Sequence, residues 1–349
     1  MSARKRIYPV FIPHLGCPHA CVFCNQNEIT GAAAEEALRK LNSLTENPPQ
    51  GAACELAFYG GSFTAIPAEQ QLRYLEAAGR ARACGAISTI RLSTRPDAVT
   101  PEILERLRRY GVETVELGAQ SMRDRVLRAS GRGHSAEDVR RASEMIREAG
   151  LSLVLQMMTG LPEDDDDGAV DTARQLIALK PDAVRIYPTV IIRGTELERR
   201  WRRGEYQEHT VEDAVRVCAL LLPLFEAAAI PVIRLGLNPT DELSGGAALA
   251  GAYHPALGEL VRSRILRNRA EQQLAQMRCK GEYVTIRVPE KKLSHMLGQK
   301  HRNVIWLKER FHLGALEVCP DPEITDLGIE TDPYGALIDG LWSRFPPKA

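Results

Sequence analysis

The chain lacks any apolar run long enough to cross a bilayer. Its longest, Val217–Phe225, contains Pro223 and closes at Glu226, about half of the ~20 residues that a membrane-spanning helix needs. Nor does the start read as a secretory leader, because the basic stretch Ser2–Arg6 runs into a segment broken by Pro9 and Pro13 instead of an apolar core. A cytoplasmic chain without a membrane partner is expected. Net charge is also missing, 45 Lys and Arg balancing 45 Asp and Glu. No internal repeat is visible, and low complexity is confined to Glu163–Asp167, which reads as a solvated loop. A disulfide framework is not expected, since Cys54, Cys84, Cys218, Cys279 and Cys319 are scattered singly.

What is present is a chain of 349 residues, 44% of them apolar, which is enough for a substantial core and roughly two domains. Apolar, β-rich runs recur at Ile7–Ile12, Glu55–Tyr59, Thr89–Ser93, Thr114–Leu117, Leu151–Met157 and Ala183–Pro188. Between them, Pro67–Ala83, Pro101–Tyr110, Ala136–Ala149 and Ala169–Leu179 carry helical apolar spacing, and glycines such as Gly111 and Gly150 mark helix stops. Six alternating strand-and-helix units predict an α/β fold with a parallel sheet, a partial TIM-like (β/α)6 barrel. Chemistry in such folds sits at the C-terminal ends of the strands. The expected division is a core over 1–200, a helical and loop connection over 201–257, a basic α+β unit over 258–335 and a tail over 336–349. Within the third part, a strand at Glu282–Val288, short helices at Lys291–Leu297 and Arg302–Phe311, and a strand at Ala315–Val318 predict a β-α-α-β unit.

The remaining cysteines are clustered. His14-Leu-Gly-Cys17-Pro-His-Ala-Cys21-Val-Phe-Cys24-Asn follows the first strand, and its C-x3-C-x2-C spacing lets one loop wrap three corners of a cubane iron–sulfur cluster, leaving one iron open. A zinc site that adds His14 or His19, or three buried thiols, would also satisfy the spacing.

The loop and the strand-end motifs together resemble the radical S-adenosylmethionine (SAM) enzymes. The resemblance continues through Tyr59-Gly60-Gly61-Ser62-Phe63-Thr64, Ser93-Thr94-Arg95-Pro96-Asp97, Gly118-Ala119-Gln120-Ser121 and Arg132-Gly133-His134. Gln156 to Pro162, Arg185-Ile186-Tyr187-Pro188-Thr189 and Arg193-Gly194-Thr195 complete it. The series looks most like the radical-SAM half of the Elongator catalytic subunit and, more distantly, the oxygen-independent coproporphyrinogen oxidases. Neither the acetyltransferase domain nor the cysteine-rich zinc segment of the Elongator subunit is expected here, and no zinc is expected.

The resemblance implies a [4Fe–4S] cluster on Cys17, Cys21 and Cys24, with SAM bound to its open iron. Reductive cleavage of SAM would give a 5′-deoxyadenosyl radical that abstracts hydrogen from substrate, with a flavodoxin or ferredoxin as electron donor. Gly60 and Gly61 would meet the SAM amino group, Gln120 and Gln156 its ribose and methionine portions, and Arg132 its carboxylate. Phe23 would lie beside the adenine or simply pack against the barrel. Ser93 stands where related enzymes carry a glutamate, and its hydroxyl would replace part of that ribose contact. No side-chain acid–base pair is needed, and His134 reads as structural.

Residues 258–310 hold thirteen Lys and Arg against five Glu. Inside that stretch, Leu297-Gly298-Gln299-Lys300-His301-Arg302-Asn303 looks like the G-x-x-G turn of a KH domain, with His301 in place of the second glycine. Lys300 and Arg302 would then contact RNA phosphates while Gly298 lets the backbone approach. The alternative is a solvated basic helix pair. RNA or tRNA is the expected substrate; a small metabolite, or a non-catalytic RNA-binding role with a structural metal loop, is the competing reading.

Overall fold

The computed structural model describes residues 6–12, 21–25, 34–48, 54–238, 243–277 and 283–332. The chain divides into two compact units, Met1–Val217 with Leu221–Pro255 and Cys218–Leu220 with Ala256–Ala349.

The first unit is built on a seven-stranded sheet of β1 (Arg6–Ile12), β2 (Cys54–Gly60), β3 (Thr89–Thr94), β4 (Val112–Gln120), β5 (Ser152–Thr159), β6 (Ala183–Pro188) and β8 (Val232–Leu235), in that order. Every pairing is parallel. A short antiparallel pair, β7 (Val190–Ile192) and β9 (Ala248–Gly251), stands apart. The helices between the strands begin and end on local signals. Thr100 caps the helix Pro101–Arg109 by accepting from the Ile103 N–H, and Gly111, at φ 81°, turns the chain out of it. Ser135 and Asp138 form a reciprocal capping box on Ala136–Glu148, as Thr210 and Asp213 do on Val211–Ala227.

Alternate residues of a strand face opposite sides, and the two faces of this sheet differ sharply. Phe58, Leu92, Leu117, Leu155 and Ile186 are fully buried on one of them. The other carries Tyr59, Arg91, Glu116, Gln156 and Arg185. An Arg185 Nη2 to Tyr59 Oη hydrogen bond of 3.0 Å joins β6 to β2. Four strand spacings in a flat sheet would hold those residues about 19 Å apart, so the sheet curls into a half-barrel around them.

The six expected strands are all present, and β8 is a seventh, which falls within the expected helical and loop connection. It has only four residues, none of them buried, and follows directly on the end of a helix, where Ala229 takes φ 57°. Periodicity over so short an exposed piece carries no signal.

The second unit has the expected β-α-α-β order: β10 (Tyr283–Val288), helices Leu293–Leu297 and Arg302–Phe311, then β11 (Ala315–Pro320). Two elements were not anticipated. The helix Leu257–Met277 buries Leu257, Val261, Leu266, Ala270 and Leu274, and β12 (Gly328–Asp332) pairs antiparallel with β10, which pairs parallel with β11. Val284, Ile286 and Val288 of the central strand form its core with Ala270, Leu274, Met296 and Leu307.

Candidate cofactor site at the strand ends

The segment Cys21–Asn25 is held at both sides by backbone bonds. The Val22 N–H donates to the Ser130 carbonyl (3.1 Å), the Leu197 N–H to the Val22 carbonyl (2.7 Å), and the Asn25 side-chain amide to the Arg193 carbonyl (2.8 Å). The Cys24 N–H closes a tight turn onto the Cys21 carbonyl at 3.1 Å. Cys21 is buried, Cys24 partly so, and Cys17 lies outside the described residues. Phe23 packs against the apolar cluster of Val22, Ile191, Leu197 and Tyr206.

Arg132 joins this segment to the sheet. Its Nη1 lies 3.4 Å from the Cys21 sulfur and its Nη2 donates to the Gly118 carbonyl at 2.7 Å. Arg95 fixes the backbone beneath it, donating from Nη2 to the Arg132 carbonyl at 2.9 Å while its Nε pairs with Asp97. A side chain at Gly118 would crowd this arrangement, because a Cβ there would come within 3.0 Å of Gln120 Nε2 and 3.2 Å of Arg132 Nη2 and make both shift. Gln120 itself ends β4 with φ 67°, beyond an irregularity in the β4–β5 pairing, and its Nε2 and Arg132 Nη2 both lie beside Gly118.

Arg132 Nε and Gln120 Oε1 are buried here with no partner among the described residues, as is Nδ1 of the adjacent His134. Such orphans are costly unless something polar arrives to meet them. A carboxylate would accept from the guanidinium and an ammonium group would donate to the amide oxygen, so the free amino-acid end of SAM suits the pair. A neighbouring thiol is equally suited to an iron–sulfur cluster. The residues present therefore fit both groups.

His134 completes the neighbourhood and is buried, its Nε2 donating to the Ala119 carbonyl at 3.2 Å. Burial, reinforced by the Arg132 charge, pushes its pKa down to about 4. The ring is thus neutral at ordinary pH.

Below these groups lies a centre that no motif announced. Glu116 on β4, with its side chain 1% exposed, accepts from Arg91 Nη1 (2.8 Å), Arg185 Nη2 (2.8 Å), Tyr59 Oη (3.2 Å) and Gln156 Nε2 (3.0 Å), with Ser93 Oγ at 3.5 Å. Arg91 also pairs with Glu55 at 2.7 Å. Burial, followed by the Glu116 charge, raises the Tyr59 phenol and keeps it protonated. The structure thus brings the expected Ser93 and Gln156 onto one carboxylate. It adds Tyr59, Arg91 and Arg185 to them. Its only trace in the sequence is polar residues at alternate positions in Thr-Val-Glu116-Leu, Ile-Arg91-Leu-Ser93 and Val-Arg185-Ile-Tyr187, strands that a fully covered parallel sheet would make apolar, and that pattern pairs none of them.

Gly60 leaves β2 at φ 95°, a conformation closed to most side chains, and buried Gly61 follows it. In the second unit, Gly298, Lys300 and His301 take φ of 71°, 52° and 59°. His301 therefore keeps the left-handed backbone that a second glycine would supply. Asn303 pins the turn, its Nδ2 lying 2.9 Å from Ser263 Oγ and 3.1 Å from both the His295 and Met296 carbonyls, while Lys300 and Arg302 are exposed.

The chain is 33% identical over 129 residues to the tRNA uridine(34) acetyltransferase of Methanocaldococcus jannaschii, covering 36% of this chain and 24% of that protein. To the human Elongator complex protein 3 it is 31% identical over 138 residues, 39% of this chain and 25% of the relative. The chain thus spans about a quarter of the length of these relatives. Among solved structures, the archaeal Methanocaldococcus infernus Elp3 with an N-terminal deletion matches in fold with a TM-score of 0.58 at 22% identity, over 83% of this chain and 68% of the other. The sequence family described as the radical SAM superfamily matches residues 11–176, and the radical SAM C-terminal domain matches residues 181–267. With the curled parallel sheet beneath these matches, the chain belongs to the radical SAM superfamily.

Proposed function

We propose that Cys17, Cys21 and Cys24 hold a [4Fe–4S] cluster, that Arg132 and Gln120 receive the amino-acid end of SAM beside it, and that the substrate is a nucleoside in RNA, a tRNA in the first instance. The observation that carries the first part is the pair of buried, unpartnered atoms on Arg132 and Gln120 next to the Cys21 thiol. When bound, the cluster and SAM supply one-electron cleavage of the sulfonium and a 5′-deoxyadenosyl radical. The protein's own residues bind, orient and exclude water. Gly60 and Gly61 offer backbone to the amino group, Gln156 and Ser93, both tied to Glu116, face the ribose, and Phe23 meets the adenine from its apolar cluster. Electrons come from a flavodoxin or ferredoxin, the class of reductant that radical SAM chemistry requires.

The RNA reading is supported by the name of one relative, the tRNA uridine(34) acetyltransferase, and by the exposed basic turn at Gly298–Arg302. Replacing Arg132 by Ala tests the SAM contact. At full cluster occupancy the variant is expected to bind SAM at least ten-fold more weakly, because a charge-assisted bond is lost. Equal affinity in both proteins removes Arg132 from the site.

A further inference from the structure

The polar face of the half-barrel carries more positive than negative charge, and the surplus is localised. Arg91 and Arg185 share the two carboxylates Glu55 and Glu116. Arg234 on β8 has no share in them. Its Nε donates to the Gly236 carbonyl at 2.8 Å, and among the described residues no carboxylate pairs with its terminal nitrogens. Arg234 pairs in register with Arg185, Arg185 with Gln156, and Gln156 with Gly118. The β6–β8 register shifts between Val184 and Arg185, and beyond that shift Arg234 lies beside Arg185 and feels the charges of Arg185 and Tyr187, so one row runs from the Arg132 and Cys21 cluster to Arg234 at the edge of the sheet. Tyr187, two residues beyond Arg185, accepts from Arg185 Nη1 at 3.4 Å, which leaves its own O–H free to donate toward the strand ends. Burial lowers the Arg234 pKa, and the Arg185 charge adds to the effect against Tyr187.

We infer that Arg234 and Tyr187 form an anion subsite that takes a negatively charged substituent of the substrate while the reacting carbon lies over the cofactor cluster. The row from Gly118 to Arg234 spans three strand spacings, about 14 Å along the sheet and less across its curl. That is the scale of a nucleotide, whose base and phosphate would occupy the two ends. The phosphate assignment rests on the RNA reading above. The anion subsite does not, because a carboxylate on a small metabolite would be received by the same groups.

The test is calorimetric titration of the cluster-reconstituted, SAM-loaded protein with uridine 5′-monophosphate, uridine and glutarate. The monophosphate is expected to bind at least ten-fold more tightly than uridine. Arg234→Gln should erase that preference, Arg234→Lys should retain part of it, and Tyr187→Phe should reduce it, all with unchanged cluster content and SAM affinity. Equal binding of monophosphate and uridine with no response to glutarate, or a preference untouched by Arg234→Gln, overturns the subsite. If glutarate binds through Arg234 and the monophosphate gains nothing over uridine, the subsite stands and the RNA reading falls.

Discussion

At the scale of single residues, the site is organised by one buried carboxylate. Glu116 is surrounded by Arg91, Arg185, Tyr59 and Gln156, and its attraction for the two guanidinium groups offsets the cost of burying all three charges. Glu116→Ala would leave two arginines facing each other without it. Breaking a buried pair in this way costs roughly 3 to 5 kcal/mol, and urea unfolding at neutral pH should register that loss. Glu116→Gln keeps the volume and part of the hydrogen bonding, and a smaller loss is expected. His134 gives a second prediction. Its pKa lies near 4 in the fold against an ordinary value of 6.5, so in the window between them the unfolded chain holds a proton that the folded chain does not. Stability therefore falls on acidification, by about 2 kcal/mol between pH 7 and pH 5. Asp164, raised by burial to about 6, acts in the opposite sense, since its folded-state proton is lost as pH rises. The histidine contribution is read by subtraction: unfolding of wild type and His134→Asn at both pH values should differ in slope, and parallel curves would show that His134 titrates normally.

At the scale of elements, the basic turn between the two short helices is, among the described residues, the one place where two consecutive non-glycine residues take positive φ. Lys300 and His301 hold left-handed conformations without being glycine, a strain that the surrounding contacts of Asn303 must sustain. If Lys300 and Arg302 each meet a phosphate, their joint replacement by Ala lowers the slope of log affinity against log salt by about 1.4 to 1.8. Filter binding of tRNA across several salt concentrations measures it, and an unchanged slope would assign these residues to solvent. Elements differ in how far the sequence revealed them. β2 to β6 were legible because a covered parallel strand leaves a dense run of apolar residues on at least one face. The edge strand β8 left no such run, with Arg234 at its third position. The helix Leu257–Met277 was hidden because Arg262, Arg264, Arg267 and Arg269 interrupt its apolar positions. The C-x3-C-x2-C triplet stands out in the sequence, while its spacing alone leaves zinc and buried thiols open. The carboxylate centre was not, because it joins residues from five strands, and only closure of the sheet brings Tyr59 to Arg185.

At the scale of the whole molecule, the first unit has the architecture of a radical SAM enzyme. Its strand ends gather a buried thiol, a guanidinium and an amide whose free atoms match an amino-acid ligand. The second unit is a separate small α+β body carrying a basic turn. The central claim is that the first unit cleaves SAM through a cluster on its three clustered cysteines. Protein reconstituted with iron and sulfide under anaerobic conditions, then reduced with dithionite in the presence of SAM, measures this directly. Methionine and 5′-deoxyadenosine should appear in equal amounts, and Cys21→Ala or Cys24→Ala should abolish both along with the cluster absorbance. Cluster binding that persists in the triple Cys17, Cys21 and Cys24 variant, or a loaded, reduced wild type that leaves SAM intact, would contradict the account.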